Sequence, residues 1–106
     1  MSALVQYVVI RGDLSKSMGW PMGAIVAQAC HACTAVTHIF YNDSNTQAYL
    51  ADLDSMHKVV LEVKIQLLLQ RFSNQQPENI PTCLVTKPYP KNEVQSYFKK
   101  YKLLKL

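Results

Sequence analysis

Residues 18–33 read MGWPMGAIVAQACHAC, and residues 6–10, just upstream, read QYVVI. A turn holding Gly19, Trp20, Pro21 and Gly23 runs straight into a segment built almost wholly of small residues. Small side chains let a helix lie close against a sheet. Gln28 and His31, three residues apart, share one face of that helix. Its first N–H groups have no partner within the helix, and the dipole favours an anion beside them. A strand, a glycine-containing turn and this helix together make a phosphate-facing corner. The same residues also make a buried helix with two satisfied polar groups. On the sequence alone both readings stand.

Outward from this stretch the pattern is regular. Gln6 to Ile10 is rich in β-branched and aromatic residues without clear alternation, as in a strand covered on both faces. Arg11, Gly12 and Asp13 end it. The first helix is expected from near Gly23 to about Tyr41. Asn42–Asn45 is a turn cluster suited to capping a second helix over Thr46–Leu53. His57–Val63 reads as a strand, and Lys64–Gln75 as a short helix. Thr82–Thr86 is a further strand, followed by a rigid link in which Pro88 and Pro90 bracket Tyr89. Pro90 stands where a helix begins, with Glu93 in its first turn. Val94, Tyr97, Phe98 and Tyr101 give that helix one apolar stripe. Strands alternating with helices predict an α/β fold, a small mixed sheet with helices on both faces.

Composition narrows the function. At 106 residues the chain reads as one domain, and 49% hydrophobic content excludes a disordered or fibrous chain. Net charge is +4, and six of the eleven basic residues fall in the last twenty positions: Lys87, Lys91, Lys99, Lys100, Lys102 and Lys105. Such a tail suits a polyanion such as RNA, and suits a solvated surface equally. Three cysteines make no disulfide framework, which points to a reducing, cytoplasmic setting. No signal peptide is expected, and the longest apolar run, Ala24–Phe40, falls short of the roughly 20 residues a membrane span needs. A soluble protein without a membrane partner is expected, with its oligomeric state open, a homodimer included.

Few constellations carry chemistry. Cys30-His-Ala-Cys33 lies mid-helix, away from the N–H groups that lower a thiol pKa, and a tetrahedral metal cluster with His38 is strained. Neither a metal nor another cofactor is expected. Ser15 and Ser17 have no implied base, and Gly12, Gly19 and Gly23 match no nucleotide fingerprint. Arg11 and Asp13 sit just past the first strand, where α/β folds place ligand groups, or else pair with each other.

Arg11-Gly-Asp13-Leu14, then Met18-Gly19, then Ile25-Val-Ala27-Gln28 with His31-Ala32, resembles the archaeal and eukaryotic (type 2) peptidyl-tRNA hydrolases. Lys58-Val59-Val60, Thr82-Cys83-Leu84 and the closing Leu103-Leu104 are similar to later landmarks of that family. MGWPMGAIVAQACHA and QPENIPTCL resemble its domain-containing subgroup. The resemblance implies a three-layer α/β/α sandwich with a four-stranded mixed sheet. It implies metal-free hydrolysis of the ester joining a peptide to the 3′ end of a tRNA. Asp13, His31 and Thr82 are then the catalytic candidates: Asp13 or His31 to orient water, Thr82 to steady the oxyanion. Arg11, Lys16, Gly23, Gln28, Lys99 and Lys100 are the substrate-binding candidates, with tRNA as partner. The family's lysines at the start of the first helix correspond here to Met22 and Ala24; Lys16 lies upstream in the same loop as a candidate substitute. The family's Asp-Ala-Gly turn is replaced by Gln75–Asn79, and with lysine and aspartate both gone the alternative reading is a catalytically impaired RNA- or protein-binding module on the same scaffold. The segment Lys64–Gln75 is too short for the helix and strand the family places there, which leaves one strand unaccounted for.

Overall fold

The structure, a computed structural model, describes residues 3–64 and 83–105. Strand β1 (Leu4–Arg11) leads through a tight loop to helix α1 (Met22–Ile39), helix α2 (Ser44–Ala51) and a 3-10 turn (Leu53–Ser55). Strand β2 (Lys58–Val63) follows, then β3 (Cys83–Val85), β4 (Tyr89–Pro90), helix α3 (Lys91–Phe98) and β5 (Lys102–Leu103).

β1 is the hub of the sheet. It pairs parallel with β2, from Gln6 opposite Lys58 to Arg11 opposite Val63. It pairs antiparallel with β3 and β4, and β5 runs antiparallel along the far side of β2. The mixed sheet therefore has five described strands, ordered β3-β1-β2-β5 with β4 beside β1.

Strand alternation sorts the core into two layers. Val8 and Ile10 face α1, where Leu14, Ile25, Trp20, Ala29 and Cys33 pack on them. Val5, Tyr7 and Val9, with Leu61 and Val63 of β2, face α3, meeting Val94, Phe98 and Tyr101. The arrangement is the expected α/β/α sandwich. Burial on both faces is why QYVVI shows no polar alternation.

The expected Pro-bracketed link is instead a bulged continuation of β3. Val85 pairs with Val8 and Tyr89 with Val5, so the returning chain carries one extra residue between them. Gln6, 1% exposed, closes the gap: its Nε2 donates to the Thr86 carbonyl at 3.0 Å, and the Thr86 hydroxyl accepts from the Tyr7 N–H at 3.1 Å. Lys58 donates to Gln6 Oε1. The two prolines tolerate this because a bulge and a sheet edge need fewer N–H donors.

Asp43 caps α2 by accepting from the N–H groups of Asn45 and Thr46 at 3.1 and 3.2 Å. Lys87, from the bulge, binds the same carboxylate at 2.7 Å and lies over the Phe40 and Tyr89 rings. The lysine holds the Asp43 carboxyl below the ordinary carboxylate range.

Three expectations need correction or bounding. Tyr97 is 71% exposed and leaves the apolar stripe, because Val94 and Phe98, four apart, already seat this eight-residue helix. Helix α1, with 18 residues and mean hydropathy 1.2, is long and apolar enough to cross a membrane by length and composition. Its inner side is nonetheless committed to the sheet through Ile25, Ala29 and Cys33. The short helix expected beyond Lys64, and the strand missing from that segment, lie outside the described residues.

Candidate functional site

The loop after β1 is built by its own backbone. The Asp13 carbonyl accepts from the N–H groups of Ser17 and Met18, both at 3.1 Å, and the Leu14 carbonyl accepts from Trp20 at 2.9 Å. Leu14, 1% exposed, anchors the loop in the core. Gly19 turns the chain back with φ at 70°, a left-handed conformation in which other residues are strained. Pro21 then caps α1 without a side-chain hydrogen bond.

Arg11 and Asp13 pair with each other. Arg11 Nε donates to Asp13 Oδ1 at 3.0 Å and Nη2 to Oδ2 at 2.8 Å, a two-pronged contact. The guanidinium hydrogen bond lowers the Asp13 pKa below its ordinary 3.8. Asp13 is thus held ionised, in one orientation, with its charge answered.

Two adjoining cavities open at the C-terminal ends of the parallel pair, the position where α/β sheets receive ligands. The larger is a groove of about 930 Å³ lined by Gly12, Asp13, Lys16, Ser17, Glu62 and Val63 at the end of β2 and Lys64 just beyond it, and closed by Lys100, Tyr101 and Lys102. The smaller recess, about 130 Å³, reaches under the first turn of α1 at Ile25, past Arg11, Ser15, Leu104 and Lys105. Gly12, Lys16 and Glu62 line both.

The structure thus gathers Arg11, Asp13, Lys16 and Lys100 from opposite ends of the chain at one place. Gly23, Gln28 and His31 stand exposed on α1 outside both linings, and Lys99 is exposed beside the groove without lining it. A Cβ on Gly23 would meet nothing within 4 Å, so the corner at the start of α1 is open. Thr82 and the Gln75–Asn79 turn lie outside the described residues.

Sequence reasoning overlooked Glu62, Lys64 and Tyr101 as groove residues. Lys64 was recognisable as the first residue beyond a parallel strand's C-terminal end. Glu62 gave no such signal, being one polar position within HKVVLEV.

The cysteines sit apart from the groove. Cys30 is exposed, and Cys33 and Cys83 are half-buried, all three free thiols. Burial pushes the Cys83 thiol up to about 11, which leaves it a poor nucleophile. Among the described residues no group of three or more His, Cys, Asp or Glu side chains is placed to hold a metal ion.

The model of the family "Peptidyl-tRNA hydrolase PTH2" matches residues 4–76. The mouse and human proteins named "Putative peptidyl-tRNA hydrolase PTRHD1" are each 46% identical to the chain over 116 residues. Each alignment covers 96% of this chain and 83% of the relative. An alignment of 116 positions against a chain of 106 leaves at least ten positions of each relative without a counterpart here, in keeping with a shortened member. Matched over most of its length by the family model and by these relatives, this chain belongs to the PTH2 peptidyl-tRNA hydrolase family.

Proposed function

We propose that the protein hydrolyses the ester between a peptide and the 3′ end of tRNA, acting in the cytoplasm. The observation that carries this is the groove at the ends of β1 and β2, lined by Lys16, Lys64, Lys100 and Lys102. Asp13 does not offset them, because Arg11 already answers its charge, and Glu62 stands as one carboxylate against the four lysines. A groove of this field attracts a phosphodiester chain and holds it by counterion release. Gln28 and His31 stand exposed on α1 to meet the RNA beyond the groove.

Ester cleavage needs water delivered to the carbonyl carbon and positive charge where the carbonyl oxygen becomes an oxyanion. The family's helix lysines are Met22 and Ala24 here, so that charge falls to Lys16, which faces both cavities.

The test is release of deacylated tRNA from an N-blocked aminoacyl-tRNA by the purified protein. Cleavage above buffer supports the reading. No cleavage, where an authentic family member works in the same mixture, overturns it. Affinity for tRNA that does not change with salt removes the phosphate-binding role of the lysines.

A further inference from the structure

Glu62 stands out once the charges around the groove are counted. It is the next-to-last residue of β2, half-buried, at the junction shared by the two cavities. Its Oε2 lies 3.4 Å from where a Cβ on Gly12 would sit, in van der Waals range, so the carboxylate lies against the backbone at Gly12. It is directly opposite Lys102 in the β2–β5 register, and Lys16 lines the same junction. Even so, among the described residues it makes no ion pair; the two ion pairs there are Arg11–Asp13 and Lys87–Asp43.

The groove therefore holds two carboxylates of opposite availability. Both oxygens of Asp13 are engaged by Arg11. Among the described residues Glu62 makes no ion pair, and its side chain belongs to the lining of both cavities. A base that takes a proton from water must have a lone pair facing the water and room for the water beside it. Of the two carboxylates, Glu62 is the one that no cation among the described residues already holds.

We infer that Glu62 is the general base of the hydrolytic reaction. The inference rests on the hydrolase reading above. In the step it performs, a water bound at the Gly12–Glu62 junction attacks the ester carbonyl carbon while Glu62 accepts one of its protons. The carbonyl electron pair moves to oxygen and is stabilised by Lys16. The tetrahedral species then expels the ribose 3′-oxygen, which takes a proton back from Glu62. Peptide acid and deacylated tRNA leave, and Glu62 returns to its starting state without oxidant or cofactor.

The experiment compares the wild type with Glu62→Gln and Glu62→Ala, using N-acetylated aminoacyl-tRNA. The wild type turns over. Glu62→Gln keeps its fold by circular dichroism, binds tRNA at least as tightly, and loses kcat by about 100-fold or more. Formate added to Glu62→Ala restores part of the rate, which a purely structural role would not allow. Turnover by Glu62→Gln within about threefold of wild type overturns the assignment and leaves the hydrolase reading intact; general-base loss reaches at least about 100-fold. Failure of formate to restore Glu62→Ala also overturns it. A wild type that never cleaves the ester overturns the hydrolase reading, and this one with it.

Discussion

Phe98→Ala tests the link between the core and the groove. The Phe98 ring stacks on Tyr7 with centroids 4.2 Å apart and 14° between planes, and meets Tyr101 at 6.3 Å. It packs against both buried clusters on the α3 side of the sheet, so it joins Val9 and Val63 to Val5, Tyr7 and Leu61. Truncating a fully buried Phe costs about 3–5 kcal/mol. Phe98 is only half-buried, which moves it to the low end, and loss of the stack accounts for about 0.5–1.5 kcal/mol of the total. A net loss of about 3 kcal/mol follows, a large share of the roughly 5–15 kcal/mol that holds a domain together. For a domain near 100 residues that lowers Tm by about 12–24 °C. Urea and thermal unfolding followed by circular dichroism read it directly. A Tyr7→Leu, Phe98→Ala double-mutant cycle isolates the stack, with a coupling of about 0.5–1.5 kcal/mol. A Tm lowered by less than about 5 °C, equivalent to roughly 1 kcal/mol, would refute the claim that Phe98 seats α3.

The other predictions concern the loop and the charges. Arg11→Ala frees Asp13, and its carboxyl titration by NMR moves up toward 3.8. Because the native pKa is lowered, this pair contributes stability above pH 3.8 that is lost as pH falls through the native value. The stability deficit of Arg11→Ala therefore shrinks on acidification, and a deficit constant with pH contradicts the pairing. Gly19→Ala costs about 1–2 kcal/mol in urea unfolding, because alanine is strained at φ of 70°, and Gly19→Asn costs less. Replacing Lys16, Lys64, Lys100 or Lys102 by alanine lowers the slope of log affinity for tRNA against log salt by about 0.7–0.9 for each phosphate the variant no longer neutralises. An unchanged slope in all four excludes the groove as the RNA site.

The layers of the fold were legible because they depend on local patterns. QYVVI announced a strand covered on both faces, and the small residues of α1 announced a helix lying on it. Asp43 was legible as a cap from the turn cluster around it. What was not legible depends on register. Whether Pro88 and Pro90 leave the sheet or bulge along its edge is decided by Gln6 and Thr86, eighty residues apart, which complete the ladder where proline cannot. The Arg11–Asp13 pairing, two residues apart, was legible as one of two alternatives, whereas the place of Glu62 in the groove was not. Asp13 stands out in the sequence just past the first strand, Glu62 is one polar position inside HKVVLEV, and the fold brings both to one groove with Arg11 on Asp13 alone.

The same non-locality bears on what the two missing lysines mean. At the start of α1 stand Met22 and Ala24, where the resemblance implies lysines, which taken alone suggests a scaffold that has lost its charge. The folded chain returns charge to that end of the sheet by another route. β5 pairs with β2 so that Lys102 lies opposite Glu62, and the turn after α3 brings Lys100 to the groove wall. These cations are carried by the segment that Phe98 and Tyr101 fasten to the sheet. Loss of charge at one helix terminus is therefore not loss of charge at the site. It makes the groove depend on α3 docking, so weakening the Tyr7–Phe98 stack should weaken tRNA binding in step with stability, although neither ring carries a charge. A Phe98→Ala variant that loses its stability and keeps the full salt slope would separate the two and undo this connection.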